Sequence, residues 1–209
     1  PESSIVINMG SSLTYFYSVA EPGTFIYHCH VEAAEHMQMG MLGNLFVMPR
    51  QDRGPAITFN GRAYTKFAYN DGDGSTGYNR HFAILLNEYW STFHDGDRDI
   101  QESVPTDYDP QWVILNGRCY PQTTQPNDAD AVAAGRPDLR IGTVNTTLGT
   151  TDYSLPNSAL IQVNPGERVL LRLADLGYQQ HAMQLPGISM HVIGQDASLL
   201  TNGTDYMTN

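Results

Sequence analysis

A chain of 209 residues is long enough for one large or two small domains, with a core that hides roughly 70% of the surface the unfolded chain exposes. Its net charge of −11 repels phosphate backbones and anionic membrane surfaces, which sets nucleic acid aside as a partner. Apolar runs stay short of the about 18 residues a membrane span needs, and residues 1–20 lack a basic start followed by an apolar stretch, so neither a span nor a signal peptide is read. Only 16% of residues are charged, tyrosines outnumber phenylalanines 12 to 7, and 19 glycines and 12 prolines interrupt regular structure, a balance that favours strands and turns over helices.

In chain order, "LTYFY" (13–17) and "GTFIYH" (23–28) are aromatic and β-branched runs separated by the turn signal "EPG", and "LGNLFVMP" (42–49) is an apolar run stopped by Pro49. Residues 51–80 shift to Gly, Asp, Asn and Arg, ending in "NDGDGSTGYN", and read as a linker or long loop. The Asp-Gly spacing lacks the downstream glutamate of an EF-hand calcium loop, so a solvated turn is preferred. A second unit, 81–209, begins with the strand "HFAILLNEYW". It continues with "WVILNGRCYP" and its Asn-Gly turn, a strand pair in "LIQVNPGERVLLRLADLG" joined by "NPGE", and another pair in "HAMQLPGISMHVIGQDA". Residues 128–135, "DADAVAAG", are the one short helix expected. The fold class is all-β, two tandem β-sandwiches: 1–50 is the C-terminal part of the first, with a segment expected upstream of Pro1, and the second is expected to be incomplete at its end.

The chemistry concentrates in residues 28–41, "HCHVEAAEHMQMGM", between two expected strands. Blue-copper electron-transfer sites use two imidazoles and a thiolate in a trigonal plane with a long axial thioether. Cys29 supplies the thiolate, His36 one imidazole and Met41 the axial sulfur, while the second imidazole must come from elsewhere. In a strand His28 and His30 point to the face opposite Cys29, so they can hold further metal behind it, with the intervening backbone a short covalent bridge for electrons. The plainer reading makes isolated histidines surface or satisfied core groups, and Met37, Met39 and Met41 packing at a strand entrance. Their joint spacing within one strand–loop–strand segment favours copper. The two cysteines suggest one disulfide, but Cys29 between histidines suits a ligand better, leaving Cys119 a free buried thiol or paired outside the chain.

This loop resembles that of the multicopper oxidases, a family in which the cysteine of a His-Cys-His tripeptide binds type 1 copper. Both histidines there bind the type 3 pair of a trinuclear cluster that reduces dioxygen to water. The spacing from His36 to Met41 agrees with the family, whereas six residues rather than the usual four separate Cys29 from His36. The stretch from Val163 to Ala197 also resembles a cupredoxin domain of the family, in the region that usually reads His-Pro-x-His-Leu-His-Gly-His. His181 matches the first histidine, but Gln184 and Pro186 stand where cluster histidines are expected. Proline offers no side-chain donor and an amide is a poor copper ligand, so this stretch furnishes no cluster ligands. His181 and His191 read as structural, with His181 at a domain or subunit boundary as the other reading.

The resemblance implies two tandem cupredoxin-like Greek-key sandwiches, laccase-like with type 1 copper in the first, in an extracytoplasmic protein that is periplasmic, cell-surface or secreted. It implies copper as type 1 and as a type 2/type 3 trinuclear cluster, with Cys29, His28 and His30 in the catalytic route and Cys29, His36, Met41, His28 and His30 as metal ligands. Missing ligands would come from upstream or from another subunit of a homo-oligomer, a trimer by analogy. The implied function is a copper-dependent oxidase that takes single electrons from a small reducing substrate or metal ion and passes them through the His-Cys-His bridge to dioxygen. The alternative is a noncatalytic cupredoxin carrier or structural assembly protein with a degenerate oxygen site: Gln184 and Pro186 favour it, and His28 and His30 oppose it. A copper nitrite reductase is a weaker third reading, because that group keeps a histidine only before the cysteine.

Overall fold

A computed structural model describes residues 7–96, 105–124, 142–145, 150–153, 159–201 and 205–208. Among them strands dominate and the helices are single short turns, so the chain is all-β. Strands β1 (Gly23–His28) and β2 (Leu42–Val47) pair antiparallel, Gly23 opposite Val47 and His28 opposite Leu42, with helix α1 (Ala33–Gln38) in the loop between them. Residues 13–17 have the same aromatic composition but form no strand. Tyr15, Phe16 and Tyr17 are exposed, and β propensity without a paired neighbour or a surface to pack on does not make a strand.

The segment expected to be a linker, 51–80, is built structure. A 3₁₀ turn (Arg50–Arg53) leads to a hairpin of β3 (Ile57–Phe59) and β4 (Arg62–Tyr64), whose Asn60 and Gly61 take positive φ of 50° and 76°, the demand of a two-residue hairpin turn. Phe67 here is fully buried, with Tyr64, Ala68 and Tyr78 nearly so. In the Asp-Gly stretch the Asp71 carboxylate accepts the Gly74 and Thr76 amides, the Thr76 hydroxyl and the Gln51 side-chain amide, at 2.5–2.9 Å. It staples the turn from within. The polar residues that resemble a linker in composition are turn residues with structural partners.

Strand β5 (Arg80–Tyr89) is the centre of the largest described sheet; α2 (Ser91–Gly96) follows it. On one side it pairs antiparallel with β6 (Trp112–Leu115), and on the other, beyond a hairpin of β7 (Gly142–Asn145) and β8 (Thr150–Tyr153), it pairs parallel with β9 (Val169–Asp175). The "NPGE" turn forms, its Glu167 amide donating to Asn164 O, but residues 160–163 before it make no strand, so the expected strand pair is absent and β9 takes β5 as its partner instead. Farther on, β10 (His191–Val192) pairs with β13 (Tyr206–Met207) and β11 (Gly194–Gln195) with β12 (Ser198–Leu199). The helix expected at 128–135 lies outside the described residues.

The β1–β2 hairpin is docked on the central sheet. Buried Arg172 of β9 donates from Nη1 to Thr24 Oγ1 of β1 at 3.0 Å and lays its guanidinium 5.5 Å from the Phe46 ring of β2, while α1 packs on β5 and α2. The loop thus has a rigid sheet behind it.

Candidate metal centre

A six-residue helix has almost no stability of its own, so α1 exists only because its ends and flank are tied. At its start Glu32 adopts the left-handed conformation (φ 47°), reversing the chain after Cys29. Its end is a Schellman motif: Gly40 takes φ 92°, its amide donates to Met37 O at 2.9 Å, and the Met41 amide reaches back to His36 O at 2.9 Å. That pairing of the third-last helical residue with the second residue beyond the cap fixes the His-x4-Met spacing. Met41 O then accepts the Cys29 amide at 3.1 Å, closing a backbone ring through Cys29, His36 and Met41. The helix also absorbs the residues that make the Cys29-to-His36 interval longer than usual.

Side chains follow that frame. Cys29 Sγ lies 3.2 Å from His36 Nδ1 and 3.4 Å from the Val31 amide. The hydrogen bond with His36 is the main cause of a thiol pushed below its ordinary value, helped by the backbone at Val31, and the same bond raises the His36 imidazole. The Glu32 carboxylate stands 3.7 Å from His36 Nε2, which favours a proton on that nitrogen, so Nδ1 offers a lone pair to a metal once the proton it shares with the Cys29 sulfur is released. Met41 is 53% exposed, its thioether at the loop surface. His28 and His30 stack with ring centroids 4.5 Å apart at 18°, on one side of the chain as a two-residue repeat dictates. The carbonyl of Cys29 can only accept, so His28 Nδ1, 2.9 Å away, donates to it and Nε2 is left with a lone pair for a metal.

These residues fit copper: a sulfur primed as thiolate, an imidazole lone pair beside it and a thioether on the same loop are three donors of a blue-copper set. The fourth is not supplied nearby. Among the described residues no further His, Cys or carboxylate joins Cys29 and His36 within 4.8 Å. His81 stacks on Tyr78 and lies tilted against Phe46, at the far end of the hairpin, and offers no free nitrogen at Nδ1, which accepts Arg172 Nε at 3.3 Å. Burial and then the Arg172 charge push His81 down, keeping it a neutral packing group. Cys119 is a free thiol, as is Cys29.

His181 turns inward. Its Nε2 lies 2.5 Å from Oε1 of Glu88, a carboxylate with no exposed surface, and with Asp175 these form the one Asp/Glu/His cluster of metal-binding dimensions among the described residues. Sequence reasoning missed Glu88, although a glutamate amid "LLNEYW" was its signal: a charge in an otherwise apolar strand must be paired. His191 instead meets Asp205 across the β10–β13 pair at 2.6 Å, in the open.

A strand-built protein with a cysteine, a histidine and a methionine tied together in one loop between two paired strands is consistent with cupredoxin-like domains. Residues 1–51 match the family model described as multicopper oxidase, and the chain is related to that family. Over 119 residues it is 27% identical to the L-ascorbate oxidases of Cucurbita pepo var. melopepo and Cucurbita maxima, a stretch that is 56% of this chain and 18% and 17% of those proteins. The chain therefore matches less than a fifth of the length of these curated relatives. No solved structure matches it. No helix among the described residues is long and apolar enough to cross a membrane.

Proposed function

We propose that this chain carries the type 1 copper loop of a copper-dependent oxidase, with Cys29, His36 and Met41 as ligands and His28 and His30 as ligands of an oxygen-reducing trinuclear cluster. The observation that supports it is the backbone ring through Cys29, His36 and Met41, with Sγ and Nδ1 converging at 3.2 Å. Bound copper supplies one-electron chemistry and, at a cluster, the reduction of dioxygen to water. The chain's part is to hold the thiolate with its single lone-pair nitrogen, to fix the His28 tautomer through the Cys29 carbonyl, and to link sulfur to both flanking imidazoles by a few covalent bonds. The second type 1 imidazole and the remaining cluster ligands come from outside the described residues or from a second copy in a homo-oligomer, by family analogy a trimer. Residues 81–209 form a second cupredoxin-like unit, and the protein works outside the cytoplasm on a small reducing substrate or metal ion. A noncatalytic carrier is the second reading, favoured by Gln184 and Pro186, which replace expected cluster ligands.

Copper loading of the protein tests this. Cys29→Ser removes the intense visible absorption of a copper–thiolate bond, and an unchanged colour excludes Cys29. His30→Ala keeps the colour and stops oxygen consumption; continued turnover excludes a cluster that depends on His30. About four coppers per chain favour the oxidase and about one the carrier.

A further inference from the structure

We propose that Glu88 is a positioning residue for the 28–41 loop, acting through the hydroxyls of Tyr108 and Tyr178, which seat helix α1 on the second unit. The spectroscopic part of the argument rests on the copper reading above; the seating does not.

Glu88 is wholly buried near the end of β5 and its two oxygens accept four hydrogen bonds. Oε2 takes the Tyr108 hydroxyl at 3.0 Å and the Tyr178 amide at 2.8 Å; Oε1 takes the Gln179 amide at 3.3 Å and His181 Nε2 at 2.5 Å. A carboxylate offers about four lone-pair sites, so Glu88 has none left for a cation and the cluster with Asp175 and His181 is a hydrogen-bond hub rather than a metal site. Room for it is built in, because a Cβ on Gly177 would clash with both carboxylate oxygens.

The hub sets directions outward. Tyr108 donates its hydroxyl to Glu88, and the tyrosine oxygen then accepts Gln38 Nε2 of α1 at 2.9 Å. Tyr178, its amide held by the same carboxylate, donates its hydroxyl to Ala34 O of α1 at 2.8 Å, and the neighbouring Asn87 side chain reaches Met37 O at 3.5 Å. The two tyrosine rings meet edge to face with centroids 5.4 Å apart, and Trp90 packs on Tyr108 at 5.3 Å. Burial, foremost, holds the Tyr108 hydroxyl far above its ordinary range, so it stays protonated and donating. Two fixed contacts therefore bracket His36 on a helix that cannot hold itself, and the angle at which its Nδ1 meets Cys29 depends on them. Blue-copper spectra respond to that geometry and to hydrogen bonding around the thiolate.

The test uses the full chain with Tyr108→Phe, Tyr178→Phe, Glu88→Gln and Glu88→Ala. In metal-free protein, hydrogen exchange of the Met39 and Met41 amides, which close α1, becomes about tenfold faster in each tyrosine variant, while amides of the β5–β9 pairing keep their protection. Glu88→Gln, which retains one acceptor oxygen, falls between wild type and Glu88→Ala. In copper-loaded protein the tyrosine variants keep the thiolate band but shift its energy and the copper hyperfine splitting. Exchange at α1 unchanged within twofold in both tyrosine variants overturns the proposal, whether or not Glu88→Ala folds. Wild-type protein without a thiolate band sinks the copper reading alone, and the exchange result still decides the role of Glu88.

Discussion

Two histidine-bearing stretches, 28–41 and 181–191, put one residue type to opposite uses. His36 faces a sulfur at the surface of a loop whose backbone ring ties together the residues that carry three different donors. His181 faces a buried carboxylate that also holds two backbone amides and a tyrosine. The His181 nitrogen aimed at the carboxylate is held as a donor and offers no lone pair on that side, whereas the His36 nitrogen aimed at the thiol, with a carboxylate behind the ring, is the one that offers its lone pair to a metal. The lesson is that the partner decides what a histidine does, and Gln184 and Pro186 are consistent with a stretch that has given its histidine to structure.

The sharpest way to break this contrast is to exchange losses. His36→Ala abolishes the copper–thiolate absorption of the loaded protein, whereas His181→Ala leaves the band in place and lowers folding stability by about 2 kcal/mol, the cost of leaving a buried carboxyl group short of one hydrogen-bond partner. Visible spectra and denaturant midpoints read the two effects separately. Loss of colour in the His181 variant together with normal stability makes His181 a ligand and ends the comparison.

How much of this the sequence discloses depends on how local the cause is. The β1 and β2 runs, the Asn116-Gly117 turn and the Cys29–His36–Met41 spacing are written in contiguous residues, and the structure forms each of them. The Gly40 that caps α1 is visible too, once the helix is suspected. Residues 50–79 mislead because Asp71, Asn60 and Gly61 have the composition of a loop while building a stapled turn and a hairpin over Phe67. The parallel β5–β9 pairing and three of the four donors on Glu88 join residues some 90 positions apart, as Tyr178 to Glu88 shows, and nothing in either segment announces the other. Strand 13–17 fails for the converse reason: its pattern is right, but no partner lies beside it in the described structure.

A second contrast is smaller and needs no metal. With His36 beside it, the Cys29 thiol is held below its ordinary value. In metal-free protein at pH 7, iodoacetamide therefore alkylates Cys29 about fivefold faster than in His36→Ala, and the gap closes above about pH 9, where both thiols are ionised. His181→Ala, remote from the sulfur, leaves the rate as it was. Equal rates in wild type and His36→Ala show that the thiol–imidazole contact does not form in solution.

The smallest effect separates the exposed histidine pair from the buried one. Asp205 is held below the ordinary carboxylate range, first by its hydrogen bond to His191, so the folded state binds its proton less readily than the unfolded chain does. The resulting stabilisation is present above the unfolded value, near pH 4, and is lost as pH falls through the lower folded value. Both partners are well exposed and screened, so Asp205→Asn shifts the melting temperature only slightly at neutral pH, and less with added salt. Once pH has fallen below that lower folded value, wild type and variant melt together, since the aspartate is then protonated in both states. A loss as large as that of His181→Ala would mean that the β10–β13 pair, like the Glu88 hub, is sealed from water, and that exposure no longer distinguishes the two histidines.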